Sequence, residues 1–394
     1  MSSSDVFVLS AVRTPIGTFG GSLKDVPLSQ LATTAVKTAV MRSGCDAQQI
    51  GHVVMGNVIP TEPKDAYVSR IAALNAGIPQ ETPAFNVNRL CGSGLQAIIS
   101  AAQSLMLGDA EIAVAGGVES MSRGPYMLPG ARWGGRLGNL EAIDYMLGIL
   151  HDPLYGIHMG ITAENIAERY GISREMQDAL ALHSQQRAGA AIANGHFLSQ
   201  IVPVEITSRK GIERFEVDEY VRSNTSLEQL AKMNPAFRKD GTVTAGNASG
   251  LNDGASALVL ATGAVIQNSN LRPLARLVAY AHAGVDPQLM GLGPIPATRQ
   301  ALARAGLTVA DLDVIESNEA FAAQACAVTR ELDLDPAKVN PNGSGISLGH
   351  PVGATGAIIT TKAIHELHRI QGRYALVTMC IGGGQGIAAI FERV

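Results

Sequence analysis

The sequence predicts an α/β protein made of two copies of one doubly wound unit, and three observations predict it. Short apolar runs alternate with longer alanine-rich runs along most of the chain, which is typical of buried strands that alternate with helices. The order of these runs repeats once. A stretch of different composition, residues 122–250, interrupts the first copy. We therefore expect two similar halves and one large insertion.

Residue type and period predict the individual elements. Short runs dominated by Val, Ile, Leu and Ala predict buried strands, which we expect at 6–12, 52–58, 111–116, 256–261, 274–280, 314–317, 374–379 and 386–391. Longer alanine- and leucine-rich runs predict helices, which we expect at 28–43, 92–106, 174–193, 297–305 and 353–368.

The two copies match in position as well as in order. Asn57 and Asn318 each end the second strand of their copy. Cys91 and His350 each open a long helix, with a glycine three residues further on. If the copies face each other, equivalent helix N-termini meet at one cleft. The repeat therefore predicts that Cys91 lies near His350.

The insertion divides the chain into parts. We expect a first half at 1–121 plus 251–272, an inserted loop domain at 122–250 and a second half at 273–394. The insertion begins with the Gly/Pro/Arg-rich stretch RGPYMLPGARWGGRLGN and holds the only tryptophan, Trp133. Long insertions of this kind usually bind substrate or a neighbouring subunit. A plain surface elaboration is the alternative.

The composition argues against several classes of partner. Charged residues make up 16% of the chain and the formal net charge is −4, so no basic surplus indicates nucleic acid or an anionic membrane. The charged share is below the typical value of about 25%, which favours burial of surface between subunits. We also see no uninterrupted apolar run of the length that a membrane helix needs.

The N-terminus and the cysteines indicate the compartment. The segment MSSSDVFVLSAVRTP has no basic start before a short apolar run, so it is not typical of a secretory signal. The cysteines Cys45, Cys91, Cys326 and Cys380 form no C-x-x-C pair, which argues against a zinc site and for free thiols in a reducing compartment. We expect the cytoplasm.

Three glycine-rich segments carry the candidate chemistry: VNRLCGSGLQAI around Cys91, SLGHPVGATGA around His350 and TMCIGGGQGIAAIF around Cys380. Together they offer a nucleophile, a base and backbone N–H donors to one substrate carbonyl. A helix N-terminus and an imidazole would lower the pKa of a thiol at Cys91. We expect a thiol enzyme that acts on acyl groups, with Cys45 and Cys326 as buried small hydrophobes.

The motifs VNRLCGSGL, NEAFA, GHPVGATG and CIGGGQG, taken in order over the whole chain, resemble those of the thiolase family. The segments LHDPLYGIHMGITAEN and NPNGSGISLGHP resemble its bacterial short-chain β-ketothiolase branch. The resemblance implies two βαβαβαββ-type halves in a five-layer α-β-α-β-α arrangement with an inserted loop domain. The chain departs from the common family pattern at Ser317 and at Ser344-Gly345, which could alter the shape of the pocket.

The resemblance also implies an activity and a set of roles. The activity is the reversible Claisen condensation of two acyl-CoA molecules, acetyl-CoA with acetyl-CoA or propionyl-CoA, and the reverse thiolysis, through an S-acyl-Cys91 intermediate. His350 would serve as the base for Cys91 and, with a water held by Asn318, bind the enolate oxygen. Cys380 would move the α-proton, and the backbone N–H groups of Cys91 and Gly382 would bind the second oxyanion. Asn318 could instead cap a helix that begins at Glu319.

Substrate contacts follow from the same resemblance. CoA-binding residues would be His158, Arg222, Phe237, Ala245, Ser249 and Leu251. Met159, Met290 and Phe321 would wall the acyl pocket, although plain core packing is the alternative for the methionines. No metal or prosthetic group is implied, since acyl-CoA and CoA are the only small-molecule partners. The resemblance further implies a homotetramer joined by a loop at 125–139, and a place in fatty acid metabolism or polyhydroxyalkanoate precursor supply.

Two other functions stay open. A decarboxylating condensing enzyme of the ketoacyl-synthase kind shares the doubled fold, but it usually pairs its cysteine with two histidines or with histidine and asparagine, and Cys380 argues against it. A catalytically silent acyl-CoA-binding protein of the same fold is the second alternative. The presence of Cys91, His350 and Cys380 together argues against it.

Overall fold

The computed structural model describes residues 2–135, 137–209 and 211–394. The strands are β1 (Val6–Arg13), β2 (Gly17–Thr18), β3 (His52–Gly56), β4 (Ala84–Val87), β5 (Ile112–Ser120), β6 (Tyr126–Met127), β7 (Ile143–Asp144), β8 (His151–Asp152), β9 (Ile157–His158), β10 (Val204–Ser208), β11 (Gly211–Phe215), β12 (Asn252–Thr262), β13 (Ala275–Gly284), β14 (Val314–Ser317), β15 (Tyr374–Ile381) and β16 (Gln385–Arg393). The helices are α1 (Leu28–Ser43), α2 (Val68–Asn75), α3 (Ser93–Leu107), α4 (Tyr145–Ile149), α5 (Met159–Tyr170), α6 (Arg174–Ala193), α7 (Leu227–Ala231), α8 (Gly263–Gln267), α9 (Pro294–Ala305), α10 (Ala322–Glu331), α11 (Gly345–Leu348) and α12 (Val352–Ile370).

The strand order shows the duplication. The first half runs β4-β3-β5-β12-β1 and the second runs β14-β15-β16-β13. In both halves the same pairs are parallel and the same pairs antiparallel, and a single bridge from Ile315 to Val339 stands where β3 pairs with β4. The halves join where β1 pairs with β13. The predicted repeat is therefore a repeat of structure.

The layers follow from where the apolar faces point. One core cluster combines α3, α12 and strands from both halves, so these two helices form the central layer. A second cluster packs α1 and α2 on the outer face of the first half, and a third packs α9 and α10 on the outer face of the second. This is the five-layer α-β-α-β-α arrangement that the resemblance implied.

The two central helices pack with their backbones in contact. A Cβ added to Gly94 on α3 would lie 2.6 Å from the Ala357 backbone nitrogen on α12, and one added to Gly356 would meet the Leu95 backbone nitrogen. Only glycine permits this separation, because backbone atoms cannot move aside as a side chain can. The crossing places the N-termini of both helices at the centre of the molecule.

The insertion packs against both halves, and its residues Val202 and Val204 join the outer core cluster of the first half. Its helices α5 and α6 pack against α10, and Ile166 and Ile172 join the core cluster of the second half. Short hairpins, β6–β7, β8–β9 and β10–β11, make up much of the rest. Arg136, within the expected subunit-contact loop at 125–139, lies outside the described residues.

Each predicted strand and helix is present, with ends that differ by up to four residues. The sequence reading missed β4, α2, α5 and α10, which are short or follow motif residues without an apolar run of their own. One alternative is wrong: Asn318 caps no helix, because α10 begins at Ala322 with Phe321 as its N-cap. The stretch Leu90–Leu107 has the length and hydropathy of a membrane span, but it contains α3, most of whose apolar side chains are enclosed between the two halves.

The central crossing gives a stability prediction. We expect Gly94→Ala to lower the free energy of unfolding by about 1–3 kcal/mol, since overpacking forces backbone shifts of this cost, and to reduce activity because the shift displaces both helix N-termini. Gly189→Ala in α6 is the matched control, since its Cβ would lie 3.5 Å from Ser223 Oγ and alanine favours a helix interior. Urea unfolding measures both variants, and equal midpoints for Gly94→Ala and wild type would contradict the crossing as described.

Candidate active site

A cavity of about 390 Å³ opens between the central helices and the insertion. Cys91, His350, Cys380 and Gly382 all line it. Cys91 precedes α3 by two residues and His350 precedes α12 by two residues, whereas Cys380 lies near the end of β15 and Gly382 in the turn after it. Residues far apart in sequence therefore meet in one place, as the repeat predicted.

The strand register identifies an equivalence that the sequence reading missed. Gly56 lies opposite Gly117 in the first half, as Ser317 lies opposite Thr378 in the second. Counting two residues onward makes Glu119 the structural counterpart of Cys380. Aligning the third strands of the two copies in the sequence would have identified Glu119 as the residue equivalent to Cys380.

Glu119 ties the two halves together. Its carboxylate accepts hydrogen bonds from Asn57 Nδ2 at 2.9 Å, the Ile59 N–H at 3.0 Å and the Val58 N–H at 3.2 Å in the first half. It also accepts from the Gly353 N–H at 2.8 Å in the first turn of α12. Burial raises the pKa of Glu119, while these N–H donors favour the charged form. One buried carboxyl group thus fixes the end of the His350 helix to the half that carries Cys91.

The backbone before Cys91 is held in an unusual conformation. Leu90 has φ of 46°, in the left-handed region that a leucine rarely adopts. Asn88 Oδ1 accepts a hydrogen bond from the Leu90 N–H at 2.9 Å, and the Leu90 carbonyl accepts one from Ser93 Oγ at 2.7 Å. These bonds stabilise the turn that presents the Cys91 side chain to the cavity. The backbone N–H of Gly382 is close enough to the Cys91 sulfur to favour its charged form.

The expected lowering of the Cys91 pKa is wrong for the free protein. Burial raises the pKa of the Cys91 thiol to about 11, and the N–H groups of Gly382 and of Cys91 itself oppose this only in part. A nearby Glu119 charge adds to the increase. Loss of hydration at this closed end of the cavity outweighs the helix N-terminus. The resting group is a thiol, so attack on a substrate needs a base.

His350 has the protonation state and the supports of such a base. Burial lowers the pKa of His350 to about 4, so the ring is neutral at pH 7. Its backbone N–H donates to Asn252 Oδ1 at 2.9 Å, and its Nδ1 lies 2.7 Å from Thr355 Oγ1. The sequence reading did not single out Thr355.

Cys380 lies in an apolar part of the cavity wall. It is 1% exposed and packs in one cluster with Met159, Met290 and Phe321. Burial, and then the nearby Cys91, raise the pKa of Cys380 above that of an ordinary thiol. Met159 and Met290 both pack in this cluster and line the cavity. They therefore belong to the core and to the cavity wall at once.

Asn318 lies beside Nε2 of His350. Its Nδ2 is 3.5 Å from His350 Nε2, and the residue is fully buried. Its Oδ1 has no hydrogen-bond partner among the residues described here. The amide therefore faces the imidazole with one polar atom still available.

The predicted CoA contacts all line the same cavity: His158, Arg222, Phe237, Ala245, Ser249 and Leu251. Arg222 and Ala245 are exposed at its mouth. His158 Nδ1 accepts a hydrogen bond from the Gly160 N–H at 3.0 Å, which leaves a neutral ring with its hydrogen on Nε2. The ring stacks on Phe237 at 4.6 Å between centroids. The cavity thus runs from an exposed polar mouth to a buried reactive end.

Other cavity residues were not expected from the sequence. Leu147, Ile149 and Leu150 come from the region of α4, and Tyr220 lies beside Arg222 with the guanidinium 5.2 Å from its ring centre. Leu147 and Ile149 lie in α4, which is too short to show a hydrophobic period, and Leu150 and Tyr220 lie outside the regular elements. The local sequence around each of these residues therefore gave no indication that it lines the cavity.

The turn at Gly382 contains three consecutive glycines. A Cβ on Gly382 would lie 3.3 Å from a flexible Leu90 methyl group, so the surrounding protein alone does not require glycine there. Gly383 and Gly384 have φ of 77° and 78°, and a Cβ on Gly384 would meet the Val285 carbonyl oxygen. The steric need for glycine thus falls on the residues that aim the Gly382 N–H.

Comparison with known proteins gives consistent matches over the whole chain. Family models described as the thiolase N-terminal and C-terminal domains match residues 6–264 and 271–393. The "Beta-ketothiolase BktB" of Cupriavidus necator is 63% identical over 99% of both chains, and an "Acetyl-CoA acetyltransferase" of Pseudomonas aeruginosa is 49% identical over 99% of both. A crystal structure of human mitochondrial 3-ketoacyl-CoA thiolase in complex with CoA matches with a TM-score of 0.96 and 46% identity, over 99% of this chain and 98% of that one.

The protonation state of Cys91 gives a testable pH dependence. Because only the thiolate reacts with iodoacetamide, we expect the rate of Cys91 alkylation in the free protein to rise about tenfold per pH unit from pH 7 to 9. N-acetylcysteine in the same samples should react faster than Cys91 at every pH, because an unburied thiol has the lower pKa and hence the larger thiolate fraction. Peptide mass spectrometry assigns the label, with Cys91→Ser as the control. A Cys91 rate that levels off below pH 8 would instead indicate a preformed thiolate.

Proposed function

The chain belongs to the thiolase family, and we propose that Cys91, His350, Cys380, Asn318 and Gly382 carry out the thiolase reaction in this cavity. The chain is an acyltransferase that makes 3-ketoacyl-CoA by Claisen condensation and cleaves it by thiolysis. The observation that carries the residue assignment is the meeting of two cysteines, one neutral histidine and an aimed backbone N–H at the closed end of one cavity.

The first step of thiolysis forms the acyl-enzyme. The Cys91 thiol gives its proton to His350 Nε2 as its sulfur bonds to the 3-keto carbon, and the oxygen on that carbon accepts hydrogen bonds from the N–H groups of Cys91 and Gly382. The bond between C2 and C3 then breaks, and its electron pair forms the enolate of acetyl-CoA. Oxyanion donors of this kind are typically worth about 100- to 1000-fold each in rate. His350 and a water held by Asn318 Oδ1 stabilise the enolate oxygen.

Cys380 completes that step. Its thiol donates a proton to C2, which releases acetyl-CoA and leaves a Cys380 thiolate. Burial raises the pKa of Cys380, so its resting form is the proton donor that thiolysis needs. An incoming CoA thiol then gives its proton to Cys380 and attacks the acyl group, while the departing Cys91 sulfur regains its proton from His350. Condensation is the same sequence in reverse.

The cavity shape supports an acyl-CoA substrate. CoA is a long arm that ends in a reactive sulfur, and the cavity leads from exposed Arg222 to buried Cys380. We propose that Arg222 and Ser249 contact the nucleotide end, and that His158 offers its Nε2–H to the pantetheine. Met159, Met290 and Phe321 would then contact the acyl chain. The substrates we propose are acetyl-CoA with acetyl-CoA or propionyl-CoA.

We propose that no metal or prosthetic group takes part, because protein groups supply the nucleophile, the base, the proton donor and the oxyanion donors. The proposed compartment is the cytoplasm, which keeps thiols reduced. All four cysteines are free, and the mechanism needs Cys91 and Cys380 in that form.

We also propose a homotetramer. Large apolar side chains are exposed in and beside the 125–139 loop, with Trp133 87% and Leu137 98% accessible. Patches of this kind usually mark protein contacts. A second surface is the edge strand β4, where Phe85 is exposed. Two different surfaces are what a dimer of dimers requires.

Thiolysis of short 3-ketoacyl-CoA substrates separates the proposed function from the silent alternative. We expect CoA-dependent thiolysis of acetoacetyl-CoA, 3-ketovaleryl-CoA and 3-ketohexanoyl-CoA by the purified protein, with kcat/KM for the longer two near that for the first. Cleavage of acetoacetyl-CoA alone would narrow the proposed substrate range. No cleavage of any of the three would contradict the proposed short-chain substrates and favour a silent protein.

The two cysteines have separable roles. We expect Cys91→Ser to abolish acyl-enzyme formation, measured by mass spectrometry after incubation with acetyl-CoA. Cys380→Ser should still be acylated but should exchange the methyl protons of acetyl-CoA with D₂O at least about 100-fold more slowly, the lower range of one acid–base group. Cys326→Ser is the matched control for loss of a thiol. Undiminished exchange in Cys380→Ser would contradict the role of Cys380.

The tetramer loop is tested by removing it. We expect deletion of residues 125–139 to yield dimers that keep part of the activity, since the catalytic residues lie outside the loop. Light scattering gives the mass, and thiolysis of acetoacetyl-CoA gives the activity. A full tetramer after deletion would show that another surface joins the dimers.

A further inference from the structure

One hydroxyl group inside the protein lies against the catalytic histidine. Thr355, in the first turn of α12, places its Oγ1 2.7 Å from His350 Nδ1 and 2.9 Å from the Pro351 carbonyl oxygen. Both Thr355 and His350 are buried, at 2% and 5% exposure. The pair is therefore held in one geometry, away from bulk water.

The single hydrogen of the Thr355 hydroxyl determines the tautomer of the His350 ring. A hydroxyl has one hydrogen to donate, and a carbonyl oxygen can only accept. When Thr355 donates to Pro351, its oxygen accepts a hydrogen bond from His350 Nδ1–H. A neutral imidazole with its hydrogen on Nδ1 has a lone pair on Nε2. That nitrogen is the one that lies on the Asn318 side of the ring.

This tautomer is the one that can act as the base. A neutral ring with its hydrogen on Nε2 has no lone pair there and cannot take the proton of the Cys91 thiol. Because Cys91 rests as a thiol, a ring in the other tautomer is unproductive in the first step. The Nδ1–H form also becomes the imidazolium by gaining one proton on Nε2, with the Thr355 hydrogen bond unchanged.

We propose that Thr355 is a positioning residue that keeps His350 in the Nδ1–H tautomer, in which Nε2 carries the lone pair that takes the proton of Cys91. This inference rests on the proposed role of His350 as the base. Thr355 touches neither the substrate nor the reacting sulfur in this assignment and acts only through the imidazole. Serine carries the same hydroxyl, whereas valine has nearly the same shape without it.

The same helix offers a matched control. Thr360 is also buried in α12, and its Oγ1 donates to the carbonyl oxygen four residues earlier, that of Gly356, at 2.7 Å. Thr355 donates to Pro351 in the same way, so Thr355→Val and Thr360→Val lose the same hydroxyl-to-carbonyl bond. Only Thr355→Val also loses a bond to a histidine. A difference between the two variants in catalysis therefore reports on His350.

The experiment compares Thr355→Val, Thr355→Ser and Thr360→Val with wild type in steady-state thiolysis of acetoacetyl-CoA and in single-turnover acylation by acetyl-CoA. We expect Thr355→Val to lower kcat and the acylation rate by about 10- to 100-fold, the range seen when a metal-binding histidine loses the partner that orients its ring. KM should stay within about twofold. Thr355→Ser should restore most of the rate, and Thr360→Val should match wild type.

Each other outcome overturns the inference in a recognisable way. Equal acylation rates for Thr355→Val and wild type would show that the hydroxyl does not set the state of His350. Equal losses in Thr355→Val and Thr360→Val, or no rescue by serine, would show a structural role for α12. Thermal unfolding of all variants separates these cases from misfolding. An inactive wild-type protein would overturn the proposed function itself and not this assignment alone.

Discussion

The structure depends on the close crossing of α3 and α12 in the central layer. Gly94 and Gly356 let the two helix backbones touch, and the first residues of both helices consequently lie at the junction of the halves. The positions of the nucleophile and the base follow from this contact. Cys91 and His350 each stand two residues before their helix begins, so the separation of the helices fixes the separation of nucleophile and base. Glu119 adds a hydrogen bond across the junction to the Gly353 N–H.

Burial explains why the site needs each of its groups. A helix N-terminus stabilises an anion by at most a few kcal/mol, and here loss of hydration prevails, because the pKa of Cys91 rises to about 11 and that of His350 falls to about 4. The result is a neutral thiol beside a neutral imidazole rather than an ion pair. Charge then appears only when substrate is present, next to N–H groups already aimed at it. A histidine in this role depends on its tautomer, which gives significance to the hydroxyl of Thr355.

Duplication produced two equivalent frames that now hold different chemistry. Position by position, Cys91 corresponds to His350 and Glu119 corresponds to Cys380. The second frame supplies the base and the buried thiol, whereas the first supplies the nucleophile and a carboxylate that binds the opposite helix. At this equivalent position the second half thus has Cys380, proposed for α-proton transfer, whereas the first half has Glu119, which connects the two halves. A duplicated fold can specialise in this way because a change of side chain leaves the equivalent backbone positions where they are.

The sequence by itself determined most strands and helices of the two halves, although not β4, α2 or α10, and it also determined their repeat and the meeting of Cys91 with His350. A period of apolar residues can be recognised locally, and a repeat can be recognised from the order of the elements along the chain. The sequence also determined the four family motifs, whose residues the cavity brings together. Only the tertiary structure decided the protonation states, since desolvation depends on everything that surrounds a group. It alone revealed Glu119, Thr355 and the cavity wall around α4, because these contacts join segments that carry no pattern of their own. Hydrogen bonds of one side chain leave no period in a sequence, whereas burial of a whole face does.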